Sequence, residues 1–234
     1  MASAYVCNVV IDLEFTPVPK CLQKGTGLRQ EIIEIGAVKL DSKGNVVGEF
    51  SHTVRPTLAK GISGTVRNLT SIVNSEIACA RILPDVLEAL AAWIGPGRVR
   101  MVTWSDSDLK QIRAECAAKG IKQHLPSRWI DIQRFYSYFM DLGKRKVALG
   151  EAADWLGIAN NKNLAHRALY DAQVTAEIFR MMAAGECAEH RERVRAEVRN
   201  ARDAAACSAS IASRCGGLAD LMVSLAAKEA RVAA

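Results

Sequence analysis

Two acidic side chains near the start of the chain are spaced for shared chemistry. Asp12 and Glu14 lie in an apolar run, residues 5–15, that has the composition of a β-strand. Residues i and i+2 of a strand point to the same face, so these carboxylates should point together while Leu13 and Phe15 point away. Two acids on one face repel each other unless a cation lies between them. The spacing therefore predicts a metal site.

A histidine and a third acid follow far along the chain. His166 and Asp171 lie in residues 163–182, which have the pattern of one continuous helix. On a helix, a step of five residues is about 140° beyond a full turn, so the two side chains share an edge only loosely. The ordinary alternative is a surface histidine at a polar helix start. We favour a functional role because the other acidic elements accompany it.

A central acidic segment, residues 103–112, lies where a predicted strand gives way to a helix. Such junctions are where open α/β sheets build their sites. Asp106 and Asp108 are both candidates, and the helical phase favours Asp108, with Leu109 and Ile112 turned to the core. A role for Asp106 stays open. The acids and the histidine together predict a site that holds two divalent cations and activates a water for hydrolysis.

A rival interpretation is an aspartate-nucleophile phosphatase. The run from Asp12 to Thr16 half-resembles the D-x-D-x-T/V loop of that family. The family needs a second aspartate where Glu14 stands, and later a lysine and an acidic pair. We find no convincing acidic pair, so this alternative fits less well.

The composition is that of a soluble globular protein. The net charge of +6 and the pI near 9.0 lean weakly toward an anionic partner such as nucleic acid. Seven scattered cysteines without a CxxC pair argue against zinc and indicate reduced thiols. We find no signal peptide and no uncharged stretch long enough to span a bilayer. The expected location is the cytoplasm.

The order of predicted elements indicates an α/β fold with a mixed five-stranded sheet. Three strands that pair antiparallel come first, and β-α-β units follow, with helices on both faces of the sheet. The predicted strands are residues 5–15, 31–40, 46–54, 99–104 and 129–132. The predicted helices are residues 84–94, 107–119, 134–140, 149–156 and 163–182. Residues 16–30 are expected to be a loop.

The chain is expected to divide into a catalytic domain, residues 1–184, and a helical extension, residues 185–234. The extension is first rich in Arg and Glu and then rich in Ala. Its apolar stripe would pack against the domain or against a second subunit. The second arrangement would make a homodimer through the C-terminal helices.

These motifs resemble the DEDD exonuclease superfamily, and His166 marks its DEDDh branch. In the tyrosine branch the Tyr stands four residues before the last Asp, where this chain has Arg167. Within the branch, the chain is similar to the ERI-1-like 3′-to-5′ exonucleases over roughly residues 5–183. The matching segments are Glu31-Ile-Ile-Glu-Ile-Gly-Ala-Val, Thr103-Trp-Ser-Asp-Ser-Asp-Leu, Arg128-Trp-Ile-Asp-Ile and His166-Arg-Ala-Leu-Tyr-Asp-Ala.

The resemblance implies a ribonuclease H-like fold and a set of roles. Two Mg²⁺ or Mn²⁺ ions would be held by four carboxylates, and His166 would be the general base. The implied ligands are Asp12, Glu14, Asp108 and Asp171. The chain departs from the family at Ser71, where Gly is usual, and at Val18, where Cys is frequent. These departures concern the substrate pocket and leave the ligands in place.

The implied reaction is hydrolysis of the last phosphodiester of a single strand, with RNA favoured, to release 5′ nucleoside monophosphates. Thr16 and the loop behind it would form a wall of the pocket for the terminal sugar. Lys144 and Arg145, in a Gly-bounded linker, would guide the backbone, although a solvated loop explains them equally well. A DNA-preferring repair or proofreading exonuclease and a catalytically silent nucleic-acid-binding module are the alternatives.

Overall fold

Six strands form one mixed sheet in the first part of the chain. The protein is described by a computed structural model that covers residues 7–159, 161 and 164–205. The strands are β1 (Cys7–Pro17), β2 (Gln30–Asp41), β3 (Val46–Arg55), β4 (Arg81–Ile82), β5 (Val99–Thr103) and β6 (Trp129–Asp131). Their order across the sheet is β4-β3-β2-β1-β5-β6.

The strand directions confirm the predicted mixed sheet. β1, β2 and β3 pair antiparallel, and β5 and β6 continue parallel to β1. The prediction of five strands missed β4, which lies parallel to β3 at the edge. β4 has two residues, too few to produce the alternation by which a strand is predicted.

In the described part of the first 188 residues, eight α-helices connect and cover these strands. They are α1 (Lys20–Thr26), α2 (Gly64–Thr70), α3 (Asn74–Ala78), α4 (Leu83–Ile94), α5 (Ser107–Lys119), α6 (Ile132–Phe139), α7 (Leu149–Leu156) and α8 (Ala168–Ala184). The predicted loop over residues 16–30 is wrong, because β1 continues to Pro17 and α1 follows. The helix α1 buries no side chain, so it lacks the apolar stripe that predicts a helix.

Helices pack on the two faces of the sheet and bury different sets of strand residues. Val9, Ile11 and Leu13 of β1 join α4 and α5 in one apolar core. The opposite face of β1 and β2 is covered by α8. Gly36 of β2 makes this approach possible, because a Cβ there would lie 2.1 Å from the backbone of Ala168. The start of α8 is therefore set directly on the sheet.

A buried group of charged residues ties α5 to β2. The Lys119 ammonium lies 2.6 Å from Glu31 and 2.7 Å from Glu115, and neither carboxylate is exposed. The second oxygen of Glu115 accepts the Ile32 N–H at 2.9 Å. Glu31 also accepts N–H groups from residues 57–59. These bonds fix α5, which carries Asp108, relative to the central strands.

The chain divides into two compact units, residues 1–188 and residues 189–234. In the second unit residues 191–205 are helical. The predicted C-terminal apolar stripe, and the pairing of subunits through it, lie in residues 206–234, outside the described residues. Within the part that the structure describes, no helix is long and apolar enough to cross a membrane.

Candidate active site

The strand β1 presents Asp12 and Glu14, in its second half, on the face that α8 covers. Leu13 and Phe15, on the other face, pack in the apolar core as the alternation predicts. In the antiparallel ladder Asp12 lies opposite Gly36, and Glu14 lies opposite another acid, Glu34. The two predicted acids therefore stand beside a third carboxylate and under the start of α8.

The turn before α8 brings His166 and Asp171 to these acids. A ligand atom of Glu14, one of His166 and one of Asp171 all lie within 4.8 Å of one another. The His166 backbone N–H donates to Asp171 Oδ2 at 3.1 Å. His166 is exposed, Asp171 is partly buried and Glu14 is buried. The structure thus joins the first and last predicted motifs in one site.

The predicted continuous helix over residues 163–182 is wrong at its start. His166 adopts a left-handed conformation with φ of 64°, Arg167 is extended, and α8 begins at Ala168. The five-residue spacing is therefore bridged by a turn, in which the Asp171 carboxylate folds back to the His166 N–H. This arrangement places a ring nitrogen of His166 within 4.8 Å of a carboxylate oxygen of Asp171.

Glu34 explains why the helix begins at this residue, and sequence reasoning missed it. Its carboxylate, only 1% exposed, accepts the Ala168 N–H at 2.8 Å, which satisfies an amide at the start of α8. The Arg167 guanidinium binds the same carboxylate through Nε at 3.1 Å and through a terminal nitrogen at 2.7 Å. A second acid within the apolar run of residues 31–38 was the available clue.

The start of α5 supplies Asp108, as the helical phase predicts. Its side chain is 4% exposed, and the Leu13 N–H, between the first two acids, contributes a hydrogen bond to it. Asp106 lies at the helix start, half exposed, with its carboxylate 2.6 Å from Lys110 on the surface. The structure therefore separates the two central candidates and places Asp108 with the site acids.

Burial, with added repulsion from nearby carboxylates, raises the pKa values of the site acids. Burial raises the pKa of Asp12 well above its usual range, and four nearby carboxylates raise it further. They are Asp108, Asp171, Glu14 and Glu34. Burial, followed by repulsion from Asp171 and Glu34, raises the pKa of Glu14 to about 8. The pKa of Asp108 rises to about 7, chiefly through burial.

This donor set fits hard divalent cations. Carboxylate oxygens suit Mg²⁺ and Mn²⁺, and the four predicted ligands offer only such atoms. Arg167 is engaged by Glu34, so it offers only partial compensation for the remaining negative charge. Acids whose charged forms are disfavoured by burial and by one another gain most when a cation enters.

The predicted substrate contacts lie in different surroundings. Thr16 is fully buried, and its hydroxyl donates to the Gly61 carbonyl at 3.5 Å. Lys144 and Arg145 are exposed in the linker between α6 and α7. Arg145 lies 2.6 Å from Glu151 and over the Trp155 ring. None of the three is part of the acidic cluster.

The mixed sheet, with acids on β1, α5 and α8 beside it, has the ribonuclease H-like fold. The family described as Exonuclease, RNase T, matches residues 9–179, and the chain belongs to this family.

A DNA polymerase is among the proteins that resemble this chain. A DNA polymerase III of PolC type from Caldanaerobacter subterraneus is 29% identical over 172 residues, which are 73% of this chain and 11% of that polymerase. The chain thus corresponds to about a ninth of that relative's length.

Solved structures show the same fold. The nuclease domain of 3′hExo, a DEDDh family member bound to rAMP, superposes with a TM-score of 0.68 at 23% identity, covering 80% of this chain and 96% of that one. Exonuclease I of E. coli, in complex with a dT13 oligonucleotide, gives a TM-score of 0.58 at 15% identity, covering 75% of this chain and 40% of that one.

Proposed function

We propose that this protein is a two-metal-dependent 3′-to-5′ exonuclease that shortens single-stranded nucleic acid and releases 5′ nucleoside monophosphates. The observation that carries the proposal is the convergence of Glu14, His166 and Asp171, whose ligand atoms lie within 4.8 Å of one another. The carboxylates of Asp108, Asp171 and Glu14 each raise the pKa of Asp12, which indicates that Asp12 and Asp108 lie near this cluster. Membership of the exonuclease family supports the same reaction.

Asp12, Glu14, Asp108 and Asp171 would hold the two divalent cations, Mg²⁺ or Mn²⁺. When bound, the cations would supply Lewis-acid activation of the attacking water and neutralise charge at the leaving 3′ oxygen. The protein contributes a fixed set of oxygen ligands from β1, α5 and α8. Glu34 holds the start of α8, and with it Asp171, in place.

His166 is the proposed general base. Its ring lies beside Glu14 and Asp171, where a water attacking a phosphodiester would lose its proton. The residue is exposed, so the proton can pass on to solvent. Its backbone is held from both sides, by the bond to Asp171 and by the Arg167 pair that follows directly.

RNA is the proposed preferred substrate. Among the structural neighbours, 3′hExo is described with rAMP and a related 3′-exonuclease with the 3′ end of histone mRNA stem-loop. The relative of PolC type is a DNA polymerase, which favours a second candidate function, a DNA-preferring exonuclease of repair or proofreading type. The two differ in whether a 2′-hydroxyl at the 3′ end accelerates the reaction.

Contacts to the strand are proposed for three further residues. Thr16, through its bond to Gly61, would shape the pocket wall for the terminal sugar from beneath. Lys144 and Arg145 would attract the phosphate backbone, and Lys144 is the more available because Arg145 already pairs with Glu151.

The test uses 5′-labelled single-stranded RNA, single-stranded DNA and duplexes, each with Mg²⁺ and with EDTA. We expect stepwise shortening from the 3′ end in Mg²⁺, 5′ monophosphates as products, and no reaction in EDTA. Asp12→Asn should abolish the reaction while retaining the fold, because it removes one ligand from a carboxylate cluster.

Asp106→Asn is the matched control, since Asp106 pairs with Lys110 outside the cluster. It should retain the wild-type rate. Full activity of Asp12→Asn, or undiminished activity in EDTA, would contradict the proposed function. Faster cleavage of DNA than of RNA would replace the first candidate by the second.

A further inference from the structure

The helix α6 exposes two aromatic side chains next to each other. Phe135 is 58% exposed and Tyr138 is 84% exposed, three residues apart on one face, with exposed Arg134 beside them. The opposite face buries Ile132 and Tyr136. One exposed aromatic is ordinary, but two in register with a cation form a surface that packing of the helix does not explain.

Two hollows share Tyr138 in their walls. One, of about 490 Å³, has Trp129, Phe135 and Tyr138 in its wall. The other, of about 390 Å³, has Tyr138 together with Lys144 and Lys146 of the following linker. Arg134 lines both. Rings and cations therefore line two adjoining hollows, with one acid, Asp131, in the first, and we call their combined lining the α6 surface.

The α6 surface begins beside the acidic site. Asp131, at the start of α6, pairs with Thr103 in the parallel ladder of β5 and β6. The strand β5 leads directly into α5, whose first turn carries Asp108. The Gln133 N–H donates to the Trp104 carbonyl at 2.8 Å, which fixes α6 against this junction. A nucleic-acid strand whose 3′ end lies among the acids can thus continue onto α6.

The chemistry of the α6 surface suits a single-stranded nucleic acid. Aromatic rings stack on bases without regard to sequence, and cations attract the phosphates between them. Arg134 lies in both hollows, and Lys144 and Lys146 add two positive charges in the hollow beside Tyr138. A double helix presents no free base faces, so the arrangement favours unpaired strands.

We propose that the α6 surface binds the unpaired nucleotides that precede the scissile end. Their bases would stack on Phe135 and Tyr138, and their phosphates would contact Lys144 and Lys146 of the linker after α6. This inference rests on the proposed function, because it assigns the surface to the same substrate. It predicts that the enzyme prefers long strands over dinucleotides.

The experiment measures two quantities for the double variant Phe135→Ala/Tyr138→Ala. The first is binding of a labelled long single strand in EDTA, by fluorescence anisotropy. The second is the ratio of kcat/KM for that strand to kcat/KM for a dinucleotide, in Mg²⁺. Loss of a stacked base corresponds to about tenfold in affinity, so both quantities should fall about tenfold or more. Tyr138→Trp should retain both.

Two further variants make the comparison specific. Lys146→Ala should weaken binding and reduce its salt dependence without altering the aromatic pair. Val46→Ala/Val47→Ala is the control, since these side chains are similarly exposed, at 59% and 56%. They lie at the start of β3, directly after the turn that follows β2. This turn is next to the first residues of β1, at the end of that strand away from Glu14, so the double variant should change neither quantity.

Unchanged binding and an unchanged ratio in the aromatic variant would overturn the inference. An equal loss on both substrates would also overturn it, because the surface would then act on the site rather than on the strand. A change of oligomeric state with unchanged binding would assign the surface to a second copy of the chain. If the wild-type protein cleaves neither substrate, the proposed function fails, and the anisotropy measurement alone decides the α6 surface.

Discussion

Replacing Gly36 by alanine tests how the site is assembled. The new Cβ would lie 2.1 Å from both Ala168 C and Leu169 N, whereas ordinary contacts begin at 3.4 Å. The atoms are backbone, so no side chain can rotate away, and the start of α8 must retreat by about 1.3 Å (3.4 minus 2.1). His166 and Asp171 flank this point, so both would move with it.

A displacement of about 1 Å at a reacting group costs on the order of 100-fold in rate. We therefore expect kcat on a single-stranded oligonucleotide to fall about 100-fold in Gly36→Ala. Overpacking should lower the free energy of unfolding by about 1–3 kcal/mol, measured by urea denaturation.

Gly48→Ala is the matched control in the neighbouring strand. Its Cβ would meet only the Trp93 ring at 3.6 Å, an ordinary contact, so activity and stability should stay close to wild type. Wild-type kcat in Gly36→Ala would refute the view that close approach of α8 to β2 sets the catalytic geometry.

Three other predictions follow from particular contacts. Ser71→Gly should raise the free energy of unfolding, measured in urea, by about 0.5–1 kcal/mol, because Ser71 follows α2 in the left-handed conformation, with φ of 61°, that favours glycine. A loss of stability would contradict this prediction. Arg167→Lys should lower kcat about tenfold and Arg167→Ala about 100-fold, because lysine keeps the charge but cannot bind Glu34 through two nitrogens. Equal rates in the two variants would contradict a positioning role for Arg167. Without metal, the fold favours the protonated forms of Glu14 and Asp108, whose pKa values are raised. Their contribution to stability is therefore fully present below the ordinary pKa range of a carboxyl group, and it is lost as the pH rises through about 7 to 8. Mn²⁺ should therefore raise Tm more at about pH 8 than at about pH 6, and a shift independent of pH would count against the cluster.

Alternation and spacing were sufficient to predict much of this protein. The apolar run around Asp12 and Glu14 predicted that both acids point to the same face of β1, because the alternate residues of that strand must pack in the core. The helical phase of α5 distinguished Asp108 from Asp106, since only one of them can turn inward from the first helical turn. The mixed sheet followed from the order of the predicted elements.

The features that could not be predicted depend on contacts between distant residues. The left-handed turn at His166 is stabilised by Asp171 and followed by the bond from Glu34 to Ala168 N–H, and that bond joins residues 134 positions apart. Local helix propensity continues through residue 166, so the sequence pattern indicated one unbroken helix. Likewise α1 has no apolar stripe, and β4 is too short to show a period.

The two-metal site is tested most directly by anomalous diffraction from crystals grown with Mn²⁺ and a nucleoside 5′-monophosphate. We expect two manganese peaks bounded by the carboxylates of Asp12, Glu14, Asp108 and Asp171, with the nucleotide phosphate next to them and His166 facing it. A map with no manganese among these four carboxylates would show that they do not form a metal site.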